Sequence, residues 1–202
     1  IFKKISYKLF SIIHGKIEGS ISSEDDKRVK IKTILLEEGL KYNIYETIGA
    51  RVYTDRIHDA AIILDNKVVE GPSLQLRYRA GPNYRLYNSK AEDSIVFEKG
   101  TPRILRKING SVFSLLTGGA GNDNYWHWIY DVLPRIGIYK KLFDLNKIDF
   151  FLLPSILRKF QKETLDVLKI PKNKRLSSEK YRHIKTEKLI ATDHPIGVSG
   201  NF

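Results

Sequence analysis

Gly110-Ser-Val-Phe-Ser-Leu-Leu-Thr117, then Gly118-Gly-Ala-Gly121, then Asn122-Asp-Asn-Tyr-Trp-His-Trp-Ile-Tyr-Asp-Val-Leu-Pro-Arg135 is the stretch on which the fold turns. Its first block is an apolar run that reads as a buried strand, its second a glycine-rich turn, and its third a helix beginning near Asn122. The alternation continues downstream. Ile148–Leu153 reads as a buried strand, Ser155–Lys169 as an amphipathic helix, and Tyr181–Ile184 and Lys188–Ala191 as short strands. Alternating strands and helices predict βαβ units and a mostly parallel sheet over 101–202. With about three such strands against the roughly five or six of a complete doubly wound sheet, this is a partial Rossmann-like layer.

Working outward, residues 45–100 have a different texture. Short β-type runs (Arg51–Tyr53, Ala60–Leu64, Lys67–Val69, Ser73–Tyr78) are separated by turn signals at Asp65-Asn66, Gly71-Pro72 and Gly81-Pro82. They predict a β-rich subdomain with a hairpin turn at Asp65-Asn66. The first 44 residues read as a helical and linker segment, with Gly, Ser and charge in place of periodicity over Gly15–Arg28. In Ile1–Ile17 the apolar residues Phe2, Ile5, Leu9, Ile12 and Ile13 fall at helical spacing among Lys3, Lys4, Lys8 and Lys16. Such a basic amphipathic helix either packs on the body of the protein or contacts an anionic membrane surface. The fold class is therefore α/β, with a β-rich N-terminal subdomain ahead of the partial Rossmann-like layer.

Composition narrows the chemistry. Among 202 residues, 42% are hydrophobic, enough for a core, and there is no cysteine. That excludes disulfides, thiolate metal sites, iron–sulfur clusters and cysteine nucleophiles. The net charge of +12 invites a nucleic-acid reading, and Arg77-Tyr-Arg79 and Tyr84-Arg-Leu-Tyr87 could stack bases. The basic residues are nevertheless spread along the whole chain, so a Tyr-rich strand surface beside solvated Arg is the simpler reading and no nucleic-acid partner is expected. No apolar run reaches the length of a membrane span. The chain opens with Ile and contains no Met, so it is expected to be part of a longer protein.

Residues that carry chemistry are densest in 118–135. On one helix Asn124, His127 and Asp131 share a face, and a carboxylate one turn from an imidazole fixes its tautomer and supports general base chemistry. Arg135, four residues on, would bring a planar cation to a phosphate. Gly119 and Gly121 would offer backbone N–H groups to an anion at a helix start, although Asn124 stands where a dinucleotide fingerprint has its third glycine. Tight strand-to-helix packing is the competing reading of those glycines. Pro134 predicts a kink. Trp126 and Trp128 read as core or surface-anchor residues. A second polar cluster, Arg51, Asp55, Arg56, His58 and Asp59, reads either as surface ion pairs or as a loop that contacts a substrate. No spacing suggests a metal site.

The run Asn124–Arg135 resembles the signature of glycosyltransferase family 61, roughly N-Y-x-H-W-hydrophobic-x-D-x-L-P-R. The upstream Gly49-Ala-Arg-Val-Tyr-Thr-Asp55 and Val69-Glu-Gly-Pro-Ser73 are similar to the β region that precedes it in bacterial members tied to capsular polysaccharide biosynthesis. The resemblance implies inverting, metal-independent transfer of a sugar from a nucleotide-sugar donor to a saccharide or glycoconjugate hydroxyl. It implies a GT-B-type pair of domains with the nucleotide bound in the C-terminal one, no cofactor, and a cytoplasmic place near the inner membrane face. For such a transfer His127 is the candidate base with Asp131 orienting it, or the reverse. Asn124, Arg135, Gly119 and Gly121 are candidate substrate contacts, Trp126 and Trp128 offer faces for stacking on a sugar with one of them expected in the core, and His58 joins them through the polar cluster above. A non-catalytic carbohydrate-binding or assembly module is the alternative.

Overall fold

The computed structural model describes residues 2–36, 39–57, 59–77, 86–87, 91, 94–117 and 120–195. In chain order they form helix α1 (Phe2–His14), strands β1 (Ser20–Ile21), β2 (Val29–Leu35), β3 (Lys41–Ile48), β4 (Arg51–Thr54), β5 (Asp59–Leu64), β6 (Lys67–Val69), β7 (Leu74–Arg77) and β8 (Leu86–Tyr87), helix α2 (Val96–Lys99) and strand β9 (Arg106–Ser114). There follow helices α3 (Ala120–Asp123), α4 (Tyr125–His127) and α5 (Leu133–Lys140), strand β10 (Phe150–Leu153), helix α6 (Lys159–Val167) and strands β11 (Arg175–Ser177) and β12 (His183–Thr192). Among these residues no helix is long and apolar enough to cross a membrane.

The chain is mixed α/β, and most of its strands join one sheet. The C-terminal strands run parallel in the order β12-β9-β10-β11. Along the free edge of β12, β3 and β4 lie end to end and antiparallel to it, with Gly49 and Ala50 between them. There the sheet divides: β3 continues to β2, whereas β4 continues to β5 and on to β6 and β1.

Sequence and strands agree through the middle of the chain. Asp65 and Asn66 form a two-residue turn between β5 and β6, both with positive φ (44° and 62°), the geometry that asparagine and aspartate tolerate best. The two short strands expected after Tyr181 are instead the single β12. Its charged middle is compatible with a strand because Lys185 and Glu187 point out while Ile184 and Thr186 point in. β9 begins at Arg106 rather than Gly110: Gly110 (φ 90°) sits inside the strand at a bulge where Asn109 and Gly110 of β9 oppose the single Glu187 of β12. In the expected N-terminal linker, Val29–Leu35 forms β2, paired along its whole length with β3.

Alternation sorts the core. Phe113, Leu115, Phe151, Leu153 and Ile190 face one way and pack against Trp128, Val132, Ile136, Tyr139 and Leu165 of the helical layer. Val112, Leu116, Leu152, Leu189 and Ala191 face the other way, against Val52, Ile62, Leu64 and Val69. That second face is covered by the antiparallel part of the sheet, which coils over it. As a result the loop after β4 reaches the C-terminal ends of the parallel strands: Arg56 Nε donates to Ser178 Oγ (3.0 Å) and the side-chain amide of Asn122 donates to the Arg56 carbonyl (2.8 Å).

Candidate active site

The segment after β9 is a broken helix, and each break has a local cause. The first ends at Asp123, because Asn124 leaves the helical region (φ −88°, ψ 118°) and its side-chain oxygen accepts the amides of Trp126 (2.9 Å) and His127 (3.4 Å). Asn124 is thus the N-cap of the His127 helix. The second break precedes Pro134. Trp128–Val132 is a π-helical turn, in which Leu133 N–H donates to the Trp128 carbonyl. Proline has no N–H to give Tyr130 and its ring crowds that carbonyl, so widening the turn removes the conflict.

This geometry brings the predicted pair together. His127 Nδ1 and Asp131 Oδ2 are 2.6 Å apart, with the side chains only 15% and 9% exposed. Burial pushes the Asp131 carboxyl above its ordinary range, while the hydrogen bond to His127 and the nearby charges of His127 and Arg135 oppose the rise. With Nδ1 as the donor, Nε2 keeps its lone pair, and no described residue bonds it. The pair sits beyond the C-terminal ends of β9 and β12, the side of an open α/β sheet on which ligands bind.

Arg135 does not face this opening, which corrects its expected role at a phosphate. It is 1% exposed and all three of its donor nitrogens are taken: Nε by Thr192 Oγ1 (3.0 Å), Nη1 by the Leu116 carbonyl (2.9 Å) and Nη2 by the Ser114 carbonyl (2.7 Å). Arg135 staples the ends of β9 and β12. Burial pulls its guanidinium down to about 9, opposed by the charges of Asp131 and Asp193. Asp193, just past β12, accepts the Asn43 amide (2.7 Å) and the Tyr45 hydroxyl (2.8 Å).

Other expected contacts divide in the same way. Trp128 is fully buried, its indole N–H donating to Thr164 Oγ1 (2.9 Å), so it is the core tryptophan and not a sugar platform. The exposed one is Trp126, whose ring lies 4.0 Å from that of Tyr130 at an interplanar angle of 32°. The Gly121 amide donates to Thr117 Oγ1 (2.9 Å), and a Cβ there would press on Thr117, Pro154 and Val132. Gly121 serves close strand-to-helix packing and leaves no amide for an anion. Gly119 and His58 lie outside the described residues. Asn124 remains beside the pair, as a cap.

Two contributors escaped the sequence reading. Gln161 of α6, fully buried, donates to the Asn122 carbonyl (2.9 Å) and so fixes α3 from a distance of 39 residues in sequence. Arg56 has positive φ (68°) and ties the β4 loop to Ser178, Glu179 and Asn122. The sequence did place Arg56 in a polar cluster, but its partners are remote in the chain. Where it meets α3, Asn122 Oδ1 is buried without a partner. Among the described residues no group of three acidic or histidine side chains could hold a metal ion. No family model, curated protein or solved structure matches the chain.

Proposed function

We propose that the chain carries the acceptor-activating part of an inverting glycosyltransferase that moves a sugar from a nucleotide-sugar donor to a saccharide or glycoconjugate hydroxyl. The observation that supports it is the His127–Asp131 pair, short, largely shielded and with no described residue bonded to Nε2. The resemblance of Asn124–Arg135 to the family 61 signature points to the same chemistry, and with it to a GT-B-type architecture without metal. In the reaction His127 Nε2 takes the proton of the acceptor hydroxyl as that oxygen bonds to the anomeric carbon. The bond from that carbon to the diphosphate breaks, its electron pair leaving with the phosphate. Asp131 holds the imidazole in the tautomer that leaves Nε2 basic, and it is a positioning residue in this scheme.

The test is nucleotide release from a panel of nucleotide sugars, with and without saccharide acceptors. His127→Ala should lower kcat by about 10²–10⁴ while circular dichroism and Tm stay near the wild type. Turnover that survives His127→Ala and Asp131→Asn unchanged refutes the assignment. The exposed Trp126–Tyr130 pair favours one second reading, a carbohydrate-binding module. It gains the field if saccharides bind and no donor turns over.

A further inference from the structure

The outward face of α1 is the wrong one for a helix that merely packs on a protein. Ile5, Leu9 and Ile12 are 58%, 53% and 81% exposed, and they recur at helical spacing on one stripe. The face turned to the body carries Tyr7, Phe10 and His14: the His14 ring meets that of His183 edge-on at 4.8 Å, and His14 Nε2 lies 3.1 Å from the Arg103 carbonyl. The helix thus spends its polar and aromatic side on the protein and presents its aliphatic side outward, with the exposed Lys8 and Lys16 beside it.

At the C-terminal end of the same helix is a cavity of about 330 Å³, lined by Ile13, His14, Arg51, Asn66 and Lys185 among others. Arg51 is 8% exposed and bonds only neutral groups: Asn66 Oδ1 (2.6 Å), Thr101 Oγ1 (3.4 Å) and His183 Nε2 (3.4 Å). No described residue sets a carboxylate against it. Asp65 on the rim is held by Arg28 at 2.6 Å. A buried guanidinium with no counter-ion among the described residues, beside an exposed lysine, is suited to an anion of phosphate type.

We propose that α1 seats the protein on an anionic phospholipid surface, its Ile5–Leu9–Ile12 stripe entering the interface and the Arg51–Lys185 cavity receiving a phosphate headgroup. Lys8 is exposed beside the aliphatic stripe, and Ile13, next to Ile12, lines the basic cavity, which is the combination an anionic bilayer surface complements. The inference is independent of the transferase reading.

Co-sedimentation of the full chain with vesicles tests it, comparing phosphatidylcholine alone with an equal mixture of phosphatidylcholine and phosphatidylglycerol. Binding to the mixed vesicles is expected, with little to the neutral ones. Leu9→Asp with Ile12→Asp should weaken it by at least about tenfold, since both side chains would lose their apolar burial. Lys185→Gln should weaken it roughly fivefold. Val167→Asp, at an equally exposed apolar site on α6 (81%), should leave binding unchanged. Free glycerol phosphate should compete poorly, because it lacks the acyl interface. Equal binding to both vesicle types, or binding that the helix double variant does not weaken, overturns the proposal. So does a dimer in sedimentation that the double variant dissolves, which would assign the stripe to a second copy.

Discussion

Acidification should unfold this protein through its buried histidines, His183 among them, before it reaches most of the carboxylates. His183 opens β12, is fully buried, and lies edge-on between the rings of His14 and Tyr53. Its Nδ1 lies 3.1 Å from the Arg103 carbonyl, so Nδ1 carries the proton and Nε2 accepts from Arg51 Nη1 at 3.4 Å. Protonation would place a second N–H against a guanidinium in a buried site. Burial first, and the charge of Arg51 after it, hold the imidazole at about 4 against an ordinary 6.5, although the Arg103 carbonyl pulls the other way. Between those values the unfolded chain binds the proton and the folded chain does not, so stability falls as pH drops through the window.

The loss is about 2 kcal/mol by pH 5 and about 3 kcal/mol by pH 4, or several degrees of Tm at pH 5 for a chain of this size. His14 and His194, also lowered by burial, add in the same direction. Asp131 and Asp193, raised by burial, act in the opposite sense, because the folded state holds their protons more tightly. Urea unfolding at steps from pH 7 to pH 4, for wild type and His183→Asn, isolates the histidine. The variant should be weaker at neutral pH, with a shallower loss on acidification. Parallel curves would refute the reasoning, as would an NMR titration showing the His183 ring protonated at pH 6.

Arg135→Leu should destabilise by about 3–5 kcal/mol in urea unfolding, because the Ser114 and Leu116 carbonyls and Asp193 all lose a buried cation. Gly121→Ala should cost about 1–3 kcal/mol by the same assay, since the new methyl meets Thr117, Pro154 and Val132. Trp126→Ala should leave Tm within a degree or two of wild type while raising KM, or the saccharide Kd, several-fold; an unchanged saccharide affinity removes Trp126 from the site.

Much of this site is legible in the order of its residues, and the failures share one cause. His127 and Asp131 are four apart, and that spacing survives the π-helical turn, so their contact is local and readable. The core stripe Trp128–Val132–Ile136–Tyr139 is equally periodic, and Arg135 lies on that side of the helix. Reading Arg135 as a phosphate ligand weighs its charge above its position, while the carbonyls that satisfy it lie at the end of β9 (Ser114) and just past it (Leu116), out of reach of any local pattern. The strand β2 was missed because alternating lysines made Val29–Leu35 resemble the polar run before it, whereas alternation with one face buried is what an edge strand requires. The coil of the sheet, which carries Arg56 to Ser178 and Asn122, depends on pairings between residues more than a hundred positions apart.

From α4 through the π-helical turn into α5 the charges form a sequence from surface to core: His127 takes the outermost hydrogen bond and offers Nε2 outward, Asp131 lies buried beneath it within the field of Arg135, and Arg135 is locked to the strand ends. The cation makes a buried carboxylate tolerable, and the carboxylate orients the imidazole. Because Arg135 and the Gly121 amide are both consumed in this scaffold, neither is left to neutralise a departing phosphate. In the proposed transfer these residues would supply deprotonation of the acceptor, and the charge of the leaving group would have to be met by other groups. Arg135→Lys separates the two roles. It keeps the charge beside Asp131 but cannot reach both carbonyls and Thr192, so it should lower Tm while leaving the pH dependence of any turnover in place, whereas Asp131→Asn should do the reverse.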